Sequence, residues 1–170
     1  MRSRTAEWFE CKVRCERMNE NGETKKVIDL YTVNALSFTE AEARITGHLA
    51  NYIDGKTMEV LAITRAPYRE VFFPDDEETA DRFYKVKIKF ITLDERTEKE
   101  KKIPVVYLFN AASFEKASAL IKEFQATCLQ DFEKTSITET KIVDIIEVIN
   151  ERSAITESNI TESIEQPTSI

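Results

Sequence analysis

Residues 25–41 recur as residues 101–117. Lys25-Lys26 returns as Lys101-Lys102, Tyr31 as Tyr107, Asn34-Ala35 as Asn110-Ala111, Ser37-Phe38 as Ser113-Phe114 and Ala41 as Ala117, all at the same 76-residue offset. Most mismatches exchange one apolar residue for another. A chain that repeats itself in register points to two like modules, and this limits its architecture more than composition could.

The residues around the first copy define the module. Phe9, Cys11, Val13 and Cys15 alternate with Trp8, Glu10, Lys12, Arg14 and Glu16, the period of a half-buried strand. Asn21-Gly22 supplies the positive φ of a tight hairpin, so residues 24–33 are expected to return antiparallel. Ser37 with Glu40 three residues on makes a capping box. Phe38, Ala41, Ile45, Leu49 and Tyr52 form the buried stripe of the helix that follows, which Asp54-Gly55 ends. Residues 57–65 read as a third strand, interrupted at Ala66-Pro67 and continued over residues 68–73, with Pro67 arguing for an edge or a bulge.

The pattern restarts at Arg82. Residues 82–91 alternate cleanly, and the turn over residues 94–99 has no glycine, which predicts a longer hairpin loop. Residues 101–109 form the partner strand, with Pro104 where no ladder donor is needed. Ser113 caps a second helix with the stripe Phe114, Ala117, Ile121, Phe124 and Cys128, and residues 135–149 supply the last strand or strands. The chain thus divides into a first ββαβ or ββαββ module over residues 1–74, an acidic linker over 75–81, a second such module over 82–150 that shares a core with the first, and an acidic tail over 151–170. The tail has no hydrophobic periodicity, repeats Ile-Thr-Glu-Ser from residues 155 and 160, and reads as disordered.

Charge is partitioned in the same way. The net charge of −7 includes Asp75, Asp76, Glu77, Glu78 and Asp81 in the linker, and Glu151, Glu157, Glu162 and Glu165 against Arg152 in the tail, which leaves +1 for the rest. An acidic average therefore does not exclude an anionic partner. No apolar run reaches the roughly 20 residues of a membrane helix, the first residues lack the apolar core of a signal peptide, and Cys11, Cys15 and Cys128 form no disulfide framework. These features give a cytoplasmic protein with no membrane partner.

The expected fold is α+β: an internally duplicated antiparallel sheet carrying two helices on one face about a pseudo-twofold. The other face is then open, unless the sheet curls into a barrel or a partner, a second copy included, covers it. On that face Trp8, Lys12 and Arg14 are matched in the second module by Phe83, Lys85, Lys87 and Lys89, and Lys25, Lys26, Lys101 and Lys102 stand near the hairpin ends. Aromatics on which bases stack, beside cations that track phosphates, are what sequence-tolerant single-strand binding needs. The plainer reading of the same residues is a solvated sheet face on which lysine discourages edge pairing. The tail has two readings of its own: a solubilising segment, or an element that competes for the groove and recruits proteins.

Enzyme chemistry has little material here. His48, the one histidine, sits on the boundary of the first helix with no serine or cysteine partner indicated. Cys11 and Cys15 lie about 13 Å apart along a strand, too far to share one zinc, and read as core thiols. Three glycines leave no phosphate loop. The recurring Tyr31 and Tyr107 are expected to pack under the helices. Asn34 and Asn110 are expected to satisfy backbone groups at the strand-to-helix turn, although a polar pair presented twice to a ligand is the other reading.

Residues 8–14, 33–43, 70–73 and 85–87 together resemble the DUF4494-type domain, a family of unknown function from gut bacteria and their phages. The resemblance covers roughly residues 7–149. It implies no activity that can be carried over; a phage or mobile-element setting would favour DNA metabolism, host takeover or defence evasion over central metabolism. The reading that follows is a non-enzymatic protein without cofactor or metal that binds single-stranded nucleic acid, DNA foremost, through Trp8, Lys12, Arg14, Phe83, Lys85, Lys87 and Lys89. The alternative is a protein-interaction component: an adaptor, an inhibitor or a virion part.

Overall fold

A computed structural model describes residues 1–53, 57–76 and 79–148. The elements run β1 (Arg2–Thr5), β2 (Trp8–Met18), β3 (Thr24–Asn34), α1 (Phe38–Leu49), β4 (Glu59–Arg65), β5 (Tyr68–Phe73), β6 (Arg82–Asp94), β7 (Lys99–Ala111), α2 (Phe114–Thr127), β8 (Phe132–Glu139) and β9 (Ile142–Ile146). The protein is α+β, mostly strand with two helices. The acidic tail and the Asp54-Gly55 helix stop lie outside the described residues, as do Glu77 and Glu78 of the linker.

Local signals work as their chemistry requires. Ser37 accepts the Glu40 backbone N–H at 3.1 Å and Ser113 that of Lys116 at 3.3 Å, so both helices start on a serine cap. The Glu40 carboxylate reaches back to the Leu36 N–H at 2.7 Å. Ala41, Ile45 and Leu49 on α1, and Ala117 and Ile121 on α2, are the buried stripe positions. Phe38, Phe114 and Tyr52 are instead exposed. The first hairpin takes its positive φ at Gly22, 79°, and the second at Glu98, 52°. Glutamate accepts that strained conformation, so the second loop (residues 95–98) is no longer than the first (residues 19–23), contrary to the expectation from its missing glycine.

The single antiparallel sheet is corrected. There are two sheets, ordered β4-β2-β3-β9 and β1-β5-β7-β6-β8, and each includes a strand from the far half of the chain. After Ala66-Pro67 the chain leaves the first sheet, and β5 joins β7 in parallel; after Thr140 it leaves the second, and β9 joins β3 in parallel. Matching hydrogen bonds fix the two departures. Ala66 N–H donates to the Trp8 carbonyl and Thr140 N–H to the Phe83 carbonyl, both at 2.8 Å. Antiparallel alternation describes β2–β4 and β6–β8, but a strand that crosses between sheets is free to pair in either sense.

The helices do not share a face either. Phe9, Cys11, Val13, Tyr31 and Val33 pack under α1 with Ala41, Ile45 and Leu49. Val86, Ile88, Phe90, Tyr107 and Phe109 pack under α2 with Ile121. A third cluster holds no helix residue: Trp8, Tyr68, Val71, Phe73, Phe83, Leu108 and Ile142. These side chains alternate along their strands with the helix-facing ones, so the helix-free faces of the two sheets meet here. The result is a helix–sheet–sheet–helix stack.

Tyr31 and Tyr107 lie under the helices as expected. Asn34 closes a two-way bond with Val148, accepting its N–H at 2.8 Å and donating to its carbonyl at 3.2 Å. Asn110 donates to the Ala80 and Arg82 carbonyls at 3.0 and 3.1 Å. Both asparagines thus tie down segments that enter or leave the exchanged strands.

Trp8→Ala and Phe83→Ala are each expected to cost about 3–5 kcal/mol, because each empties a site in the core between the sheets. Urea denaturation of the two variants reads this directly. A change below about 0.5 kcal/mol in both, typical of exposed positions, would contradict the packing.

Candidate nucleic-acid interface

The two aromatics chosen for base stacking are not on a surface. Trp8 is 2% and Phe83 5% exposed, both inside the cluster that joins the sheets. This corrects the stacking platform: alternation correctly put Trp8 and Phe83 opposite the helix-facing residues, but the other sheet covers that face. Trp8 Nε1 is buried with no hydrogen-bond partner among the described residues, as is Thr32 Oγ1.

The cations that follow them divide into three groups. Lys85 is half-buried, with Nζ 6.0 Å from the centroid of the Tyr68 ring. The Tyr68 hydroxyl donates to Glu10 Oε1 at 2.5 Å, so Lys85 and Glu10, on different sheets, meet across one tyrosine. Burial, and then the bond to Glu10, pushes the Tyr68 hydroxyl far above its ordinary range, and it stays a neutral donor. In the second group the cations are paired: Arg14 with Glu59, and Lys102 with Glu133 at 2.9 Å. The bond holds the Lys102 ammonium above its usual pKa and the Glu133 carboxyl below its own.

The third group is exposed. Lys12, Lys25, Lys26, Lys87 and Lys101 face solvent and form no ion pair among the described residues, while Lys89 is half-buried beside Glu133. Register separates the hairpin doublets. Lys26 is opposite Glu16 and Lys102 opposite Ile91, on the helix-free faces; Lys25 is opposite Arg17 and Lys101 opposite Thr92, on the helix sides. The two sheets also differ in charge. Lys12, Arg14 and Lys26 are balanced on their face by Glu10, Glu16 and Glu59. Lys85, Lys87, Lys89 and Lys102 face only Glu100 and Glu133. The structure therefore brings together the β6–β7 lysines and leaves the β2–β3 cations in a neutral mixture.

Glu10 and Tyr68 were missed as partners of the lysine stripe. An acid inside a run of cations was the available sign for Glu10; nothing local marks Tyr68, which arrives on an exchanged strand. The sequence also gave no sign of a cleft of about 810 Å³ beside the end of α1, lined in part by Arg17, Tyr31, His48, Tyr52 and Asp144.

Cys11 and Cys15 are fully buried core thiols. Burial pushes Cys11 from 9.0 up to about 11, with the Glu10 charge adding to it, and also raises Cys15. Neither is a thiolate nucleophile near neutrality. Between about pH 9 and 11 the unfolded chain releases the Cys11 proton and the folded chain keeps it, so stability falls as pH rises, by on the order of 2–3 kcal/mol. Cys15, Tyr31, Tyr68 and Tyr107 are shifted in the same direction by burial. Denaturation curves across that pH window should show the fall, and Cys11→Val should flatten it; a Cys11→Val curve as steep as the parent's would place the effect elsewhere.

A family model described as a domain of unknown function, DUF4494, matches residues 7–148. No curated protein matches the chain, and neither does any solved structure.

Proposed function

Because the chain belongs to the DUF4494 family, whose description assigns no activity, we propose its function from geometry: a non-enzymatic protein that binds single-stranded DNA by its phosphates. The observation that carries this reading is the lysine excess on the helix-free face of β6 and β7. Lys87 is exposed without an acidic partner among the described residues, one strand position on the same face from Lys89, on a face with four cations and two acids. Neighbouring residues on one strand face are spaced roughly 6.6–7 Å apart, close enough to contact successive phosphates of an extended strand. With Trp8 and Phe83 buried, bases contribute no stacking on them, and affinity rests on counterion release.

The matched order of elements in the two halves is read here as an internal duplication in which only the second copy keeps an uncompensated lysine face. A cytoplasmic, phage or mobile-element setting, where single strands arise during replication, fits the same reading. The competing reading is a protein-interaction component. It draws support from Ile28 and Leu93, 63% and 65% exposed at the outer ends of the helix-free faces.

Fluorescence anisotropy with a labelled single strand tests the proposal. With three or four phosphates neutralised, the logarithm of the binding constant should fall against that of salt with a slope of about −2 to −3. Lys87→Glu with Lys89→Glu should weaken binding by more than about tenfold, whereas Trp8→Phe, which keeps the core filled, should leave it unchanged. Absence of binding at micromolar protein in low salt overturns the reading, and one stoichiometric protein retained after nuclease treatment would replace it with the interaction reading.

A further inference from the structure

The face that carries the lysine excess is not lysine alone. Along β6, Lys87, Lys89, Ile91 and Leu93 follow one another on the helix-free side. Across the ladder Lys87 is opposite Val106, Lys89 opposite Pro104 and Ile91 opposite Lys102. Each exposed cation therefore has an apolar neighbour, across the ladder or two residues along. Lys85 lies over the Tyr68 ring and Lys102 is held by Glu133 at 2.9 Å. The positive charge left over sits at Lys87, with Lys89 beside it sharing Glu133 with Lys102.

Residues 149–170 carry the complementary pattern. They hold Glu151, Glu157, Glu162 and Glu165 against Arg152, and no lysine. Ile155-Thr-Glu157 and Ile160-Thr-Glu162 each place an isoleucine two residues before a carboxylate. In an extended chain two such residues point the same way, roughly 6.6–7 Å apart, which is also the spacing of Lys89 and Ile91 on β6. An extended Ile-x-Glu run laid antiparallel to β6 sets carboxylate on ammonium and isoleucine on isoleucine. The β2–β3 face offers no such match in charge, since Lys12, Arg14 and Lys26 are balanced by Glu10, Glu16 and Glu59. Length permits the contact. The carbonyl of Val148 accepts from Arg4 at 3.0 Å, and Arg4, Val71, Leu108 and Lys85 form one row across β1, β5, β7 and β6. At about 4.8 Å per strand and roughly 6.6–7 Å per two residues, Lys87 and Lys89 lie about 16 and 20 Å from Arg4. From Val148, Glu157 can reach about 30 Å and Glu162 about 45 Å at roughly 3.3 Å per residue. Val71 and Leu108 lie in the joint between the sheets, and the surplus length serves a path round it.

We propose that residues 149–170 dock onto the β6–β7 lysine face, with Glu157 and Glu162 on Lys87 and Lys89, and so compete with single-stranded DNA for it. The docking stands on charge and spacing within this chain, whereas the competition rests on the DNA reading. A segment joined to the same chain acts at an effective concentration of order millimolar, so contacts too weak to hold a free peptide suffice to cover the face. A run of closely spaced phosphates displaces the segment, while a lone anion does not.

The test compares the full chain with a full-chain variant carrying Glu157→Gln, Glu162→Gln and Glu165→Gln, first by NMR without DNA. At low salt the Lys87, Lys89 and Ile91 amide signals should differ between the two proteins while those of Lys12 and Lys26 coincide. The difference should vanish near 1 M salt, where the screening length is about 3 Å. Lys87→Glu with Lys89→Glu should also abolish it at Ile91. In anisotropy at low salt, the variant should bind a labelled single strand about threefold to tenfold more tightly than the parent. Coincident Lys87, Lys89 and Ile91 signals, or equal movement of Lys12 and Lys26, would overturn the docking, whatever the DNA does. Distinct signals with equal DNA affinity would overturn the competition. Distinct signals with no DNA binding by either protein would uphold the docking and remove the competition together with the DNA reading.

Discussion

The structure depends on one contact, the burial of the two helix-free sheet faces against each other around Trp8, Phe83, Tyr68 and Ile142. A helix covers only one face of a small sheet, and each half of this chain has a single helix. Left alone, each half would expose Trp8 or Phe83 with its neighbours. Joining the faces removes that surface from water, and the exchange of β5 and β9 secures the joint by adding a backbone ladder from each half to the other's sheet. Separation of the halves would therefore break two parallel ladders as well as an apolar core, which makes the pair one cooperative unit.

The same contact explains why charge survives at the outer ends of the strands. Trp8 and Phe83 sit where the chain crosses between sheets, held by the Ala66 and Thr140 backbone bonds. Lys87 and Lys12 lie four residues along their strands and are solvent-exposed. Between them come Glu10 and Lys85, half-buried and satisfied through Tyr68. A strand face here passes from apolar through compensated to free charge within five residues. A lysine further in would have to be desolvated, at a cost met only by a partner such as Glu10.

Much of the local fold was legible because its causes are local. Serine caps, the Asn21-Gly22 hairpin, the helix stripe at Ala41, Ile45 and Leu49, and the alternation in β2 and β6 each depend on residues a few positions apart. The partner of a strand does not. Nothing within residues 68–73 states that β5 will pair with β7, and the break at Ala66-Pro67 reads equally as a bulge. Alternation identifies two faces of a strand but not what covers each, so Trp8 and Phe83 were placed on the right face and in the wrong environment. Phe132 was missed for a similar reason: it starts β8 before the alternating stretch becomes recognisable, and only the Phe90–Phe124–Phe132 packing shows its use.

The site was legible to the extent that the repeat was read for similarity. Matched lysines, tyrosines and asparagines drew attention, yet the asparagines and tyrosines are scaffold in both halves. Where the two halves share Tyr and Asn, those residues do like work, the tyrosines packing under a helix and the asparagines bonding backbone. The mismatches say more. Cys15, Asp29 and His48 stand at the offsets of Phe90, Val105 and Phe124, and of the three His48 lines the cleft beside the end of α1. A buried carboxylate in place of a valine is a cost to stability, offset here by the Arg17 ion pair. The lysine excess lies on the β6–β7 face while the β2–β3 face stays near balance, so two sheets whose elements follow the same order differ in charge.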